Sequence, residues 1–77
     1  MFVRDYIKKL DDATLYQIVD DYESAEKNGS VDDCELRNHT NIIMNENGID
    51  ETKFIMWMEI LIKEVYRNLA YRYIEGK

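Results

Sequence analysis

Cys34 and His39 are the only cysteine and histidine in the 77-residue chain, so a nucleophile paired with an imidazole base has just one candidate pair. On a single helix their separation turns the two side chains about 140° away from each other, which forbids a hydrogen bond between them. No glycine-rich elbow accompanies either residue. Cys34 therefore reads as a small, semi-buried apolar residue and His39 as a polar residue at the surface or boundary. Carboxylates are more numerous, but acid–base catalysis needs two of them in one cleft with their pKa values pushed apart. Adjacent acids such as Asp20-Asp21 and Asp32-Asp33 diverge on a helix, and so short a helical chain has little room for a cleft. No catalytic residue is predicted, and the chain is expected not to be an enzyme.

One segment has metal-ligand spacing. In Ser24-Ala25-Glu26-Lys27-Asn28-Gly29-Ser30-Val31-Asp32-Asp33-Cys34-Glu35, the residues Asn28, Gly29, Val31, Asp32 and Glu35 supply an oxygen, a turn glycine, an apolar residue, a second oxygen and a final glutamate, in that order. The segment resembles the calcium loop of EF-hand proteins, and Leu36 and Arg37 continue the likeness. That resemblance implies a degenerate EF-hand-like helix-loop-helix, either a sensor or a structural module. Ser24 stands where the family has an aspartate, Glu26 stands where a shorter side chain is usual, and there is no second loop. A helix ending at Asn28-Gly29, followed by another capped by Ser30, accounts for the same residues without a metal. The expectation is therefore no metal and no cofactor.

Charge is more informative than motif. Between Asp11 and Glu35 nine acids face a single base, Lys27, a local net charge of −8 within a chain whose total is −6. Such a surface repels nucleic acid and anionic membranes and attracts basic proteins. Direct nucleic-acid binding is not expected, although Lys53, Lys63, Arg67 and Arg72 give the last helix a basic edge, with Tyr71 and Tyr73 among them. No stretch approaches the roughly 18 apolar residues of a membrane span. The segment that opens with Phe2 and Val3 meets charged residues from Arg4 onward, unlike a signal peptide, and a lone cysteine fits a reducing compartment, so a cytoplasmic protein is expected.

Apolar spacing predicts one all-α domain over residues 1–77, in which three shorter helices pack on a long C-terminal one. The first helix runs from Phe2 to Leu10, with Phe2, Val3, Tyr6, Ile7 and Leu10 on its inner face. The second starts at Asp11 or Asp12 and ends near Lys27, with Leu15, Ile18, Val19, Tyr22 and Ala25 inward. The third, Val31 to about Glu46, has a scattered apolar pattern and is capped by Ser30. After Asn47-Gly48, Ile49 tucks back and Asp50 caps the fourth helix, Glu51 to Ile74 or Glu75.

On that fourth helix Phe54, Ile55, Trp57, Met58, Leu61, Ile62, Val65, Tyr66, Leu69 and Tyr73 form an arc that meets the other helices as the core. Met56, Ile60, Tyr71 and Ile74 form a second apolar stripe among charged residues. Apolar surface beyond what the core uses marks an interface, here with a second copy of the chain or with a target protein. The candidate partner-binding residues are these four together with Tyr16, Asp20, Glu23 and Glu26 of the acidic segment. The expected function is a small acidic regulator or inhibitor that binds a protein with a basic surface. A variant has Asp20, Glu23, Glu26, Asp32 and Glu35 imitate DNA phosphates in the groove of a nucleic-acid-binding host protein, as a phage-encoded inhibitor would. A homodimer is the expected assembly.

Overall fold

A computed structural model describes residues 2–29 and 34–76. Among them are α1 (Val3–Lys8), α2 (Asp12–Asn28), α3 (Glu35–Glu46), a single 3-10 turn (Glu51–Lys53) and α4 (Phe54–Glu75), with no strand. The all-α arrangement is the expected one: α1, α2 and α3 each pack against α4, and α2 also packs against α3.

Local chemistry sets the boundaries. Asp11 caps α2 by accepting from the Thr14 N–H at 3.0 Å, which satisfies one of the orphan donors of the first turn. Gly29 ends α2 in the left-handed region at φ 73°, where a side chain would be strained. The proposed Ser30 cap, with Val31, Asp32 and Asp33, lies outside the described residues. α3 begins later than expected, at Glu35, and receives its cap from a neighbour: the Leu36 N–H donates to Asp21 of α2 at 3.3 Å. At its other end the Ile49 N–H reaches back to the Met44 carbonyl at 2.9 Å, across Gly48 at φ 65°. Asp50 then accepts from the Thr52 N–H at 3.1 Å, so Glu51–Lys53 forms the 3-10 turn that leads into α4.

The core joins Ile7 of α1, Leu15 and Ile18 of α2, Leu36 and Ile43 of α3, and Met58, Leu61, Ile62 and Val65 of α4. Three expectations are corrected. Phe2 precedes α1 in extended backbone and is exposed, so it does not share the inner face of that short helix. The scattered apolar pattern of α3 resolves through Thr40, which is buried because its hydroxyl donates to the Leu36 carbonyl at 2.7 Å; Leu36, Thr40, Ile43 and Met44 then form one face and Ile42 points outward. On α4, Ile55, Tyr66 and Tyr73, expected in the core, are 46–67% exposed, while Asn68 takes a buried place.

The α4 correction follows from shape. The Cα trace measures 40 × 30 × 16 Å, and its short dimension is that of two helix layers, since packed axes lie about 8–10 Å apart and each carries its Cα atoms at a radius of about 2.3 Å. Three short helices lying in so thin a body cover one side of α4 and cannot wrap it.

Candidate protein-binding surface

Met56, Ile60, Tyr71 and Ile74, the predicted second stripe, are 36–66% exposed, and neither α1 nor α3 covers them. Ile60 borders a depression shared with Phe2, Val3 and Arg4 of the α1 side. Tyr71 borders another with Arg4, Lys8, Arg67 and Arg72. The stripe thus lies on the α1 side of α4, among cations. Two of these pair with the same carboxylate: Arg4 lies 3.6 Å and Arg67 3.2 Å from Glu64.

Tyr16, Asp20, Glu23 and Glu26, the other predicted residues, are all exposed on α2. Glu26 lines a cleft of about 890 Å³ between the end of α2, α3 and the start of α4, opposite Ile55 and Glu59. The Tyr22 hydroxyl bonds Glu26, and this bond, partial burial and the nearby charges of Glu26 and Glu59, with Tyr66 beyond, push its pKa above the usual tyrosine value. The predicted site residues are therefore brought together as two faces flanking α4, one basic and one acidic.

The acidic face contains residues that the sequence had placed in the core. Ile55, Glu59, Tyr66 and Tyr73 recur at helical spacing along one stripe of α4 on the α2 side. Glu59, a charge inside that spacing, was the available signal that this edge of the arc meets water. At about 200 Å² per tyrosine, the exposed fractions of Tyr16, Tyr66 and Tyr73 place roughly 350 Å² of tyrosine surface in solvent. That total is comparable to the largest apolar patch of an ordinary monomer, which is often functional.

A hydrogen-bonded chain that sequence spacing concealed links α1 to α3. The Tyr6 hydroxyl meets His39 Nδ1 at 2.5 Å, and His39 Nε2 meets a Glu35 carboxylate oxygen at 3.1 Å. Burial first, and the Glu35 charge second, raise the Tyr6 pKa and keep the phenol neutral. Both ring nitrogens are occupied within the fold, and the chain acts as a strut. Cys34 sits half-buried at the start of α3 as a free thiol.

Ser24, Glu26 and Asn28, three of the EF-hand-like positions, lie inside α2. Ser24 and Asn28, four residues apart, share a face, but Glu26 between them is turned about 200° from Ser24, so the three oxygens do not converge on an ion. Among the described residues no group of three or more His, Cys, Asp or Glu side chains could hold a metal, and no helix is long and apolar enough to cross a membrane. Compared with family models, with curated proteins and with solved structures, the chain matches none of them.

Proposed function

We propose that the protein is a non-catalytic interaction module, a regulator or inhibitor that binds a protein with a basic surface. The observation that carries this reading is the apolar and aromatic surface of α4 left uncovered by α1, α2 and α3, flanked on one side by the acids of α2. Tyrosines supply contact area at low entropic cost, and the carboxylates around them select a basic partner and speed the encounter. Asp20, Glu23 and Glu26 suit the groove of a nucleic-acid-binding protein, where they take the place of phosphates. A second copy of the chain would use the other face, through Met56, Ile60, Tyr71 and Ile74. A lone cysteine, which forms no disulfide within the chain, supports a reducing compartment such as the cytoplasm.

Two measurements test the reading. Immobilised chain should retain a protein at low salt that is released by rising salt and by added duplex DNA, and Asp20→Lys with Glu23→Lys should abolish retention. Retention unchanged by salt and by both substitutions counts against a charge-selected partner. Light scattering at two concentrations should give a dimer mass that Ile60→Asp with Tyr71→Asp reduces to a monomer, with helical circular dichroism preserved. A monomer mass for the unaltered chain at both concentrations eliminates the second-copy role of that face.

A further inference from the structure

We infer that the cleft between α2, α3 and α4 receives a large apolar side chain carried on a basic segment of the partner. This deepens the proposed function and rests on it: the acidic face selects a basic protein, and the cleft is where that protein anchors.

The lining suits such an anchor. Met44 and Met58 are buried at the floor, and Tyr22 and Phe54 stand half-buried beside them. Two thioethers and two rings make an apolar surface that repacks around aliphatic or aromatic side chains alike. At about 890 Å³ the cleft is half open to solvent and roomy enough for one large side chain entering from a partner.

The rim supplies the selectivity. Glu26 on α2 and Glu51 and Glu59 on the α4 side surround the opening, against one cation, Arg37, which lies 6.0 Å from the Phe54 ring centroid. Tyr22 reports the same negative field from inside the cleft, since Glu26 and Glu59 disfavour its ionisation. An apolar side chain flanked by Lys or Arg satisfies floor and rim together. A segment flanked by acids would meet three carboxylates at the rim, and an anionic lipid surface is repelled for the same reason.

The test uses the whole chain and fluorescence anisotropy of three labelled helical peptides: Lys and Leu at amphipathic spacing with one Phe, the same peptide with Glu for Lys, and the first peptide with Ala for every Leu and Phe. The first should bind about tenfold or more tightly than either of the others. Glu26→Lys with Glu59→Lys should weaken it by about tenfold, whereas Glu46→Lys with Glu75→Lys, the same change in net charge away from the cleft, should not. Ala25→Trp, which plugs the cleft from its α2 wall, should abolish binding with the circular dichroism melt retained. Equal affinity for the peptide with Ala for Leu and Phe, or equal losses from the two charge-reversed pairs, overturns the anchor. Should Ile60→Asp release the peptide while the cleft variants do not, the cleft is excluded and the interaction reading stands. Absence of binding to every peptide, together with a chain that retains no protein in the salt-series capture, removes both.

Discussion

Arg72 to alanine should unfasten α1. At six residues α1 is far too short to be stable alone, and the carbonyls at its C-terminus lack intrahelical partners. One guanidinium serves that end. Its Nη2 donates to the Leu10 carbonyl at 2.7 Å, with longer approaches of 3.4 Å to Lys8 and 3.5 Å to Ile7, while Nη1 meets the Asp12 carboxylate at 2.5 Å. A charged hydrogen bond contributes about 1.5–3 kcal/mol in general, reduced here to roughly 1–2 because Arg72 keeps some contact with water. The Asp12 carboxylate is mostly exposed, so that pair adds only about 0–1 kcal/mol. The sum for Arg72→Ala is about 2 kcal/mol, or a fall in Tm of roughly 8–16 °C for a domain of this size. Arg72→Lys keeps the charge, but a single ammonium does not span Asp12 and the Leu10 carbonyl together, so it should recover less than half. Asp12→Asn should cost about 0.5 kcal/mol at most. Thermal circular dichroism of the three variants reads this order directly. An Arg72→Ala chain that melts within about 2 °C of the unaltered one, no lower than Asp12→Asn, refutes the clamp.

Asn68 is buried with an Oδ1 that has no hydrogen-bond partner among the described residues, so Asn68→Leu should raise stability by about 1 kcal/mol in urea unfolding; a loss of that size would mean the amide is satisfied in solution. Tyr6 has a raised folded pKa, so its contribution is complete below the unfolded value near 10 and disappears as pH rises through the folded value. Unfolding midpoints should therefore drop above about pH 10 and drop less steeply in Tyr6→Phe, which also loses about 1 kcal/mol at neutral pH with the bond to His39; identical alkaline slopes would refute the assignment.

Much of the fold was legible because it rests on local rules. Asp11, Gly29, Gly48 and Asp50 punctuate the chain as their chemistry requires, and Leu15, Ile18, Leu61 and Val65 mark inward faces by spacing alone. What stayed hidden depends on distant partners. The start of α3 is fixed by Asp21 on another helix, and Thr40 is buried because its hydroxyl is satisfied inside its own helix, which hydrophobic spacing does not register. Tyr6 and His39 meet across 33 positions. The site was half legible. Exposure of Ile60 and Tyr71 was anticipated, whereas Ile55, Tyr66 and Tyr73 were assigned inward because periodicity gives the direction of an apolar arc and not how much of it the other helices cover.

The sidedness of α4 bears on which face meets which partner. A two-fold dimer places a surface against itself. Through the α2 side that operation would set Asp20, Glu23, Glu26 and Glu59 against their own copies, at a cost that rises as water is excluded. The α1 side carries less of this obstacle: Arg4 and Arg67 share Glu64, Arg72 pairs with Asp12, and Glu75 lines the same depression as Lys8, so a smaller net charge opposes apolar contact through Ile60 and Tyr71. Joining an α1 side to an α2 side would be attractive in charge, but the contact is heterologous and leaves a free face at each end, a geometry that extends into filaments unless the rotation closes a ring. Self-association that stops at two therefore belongs to Ile60 and Tyr71. In the proposed reading the acidic tyrosine face, which a symmetric copy does not suit, is then the surface left for a foreign basic protein.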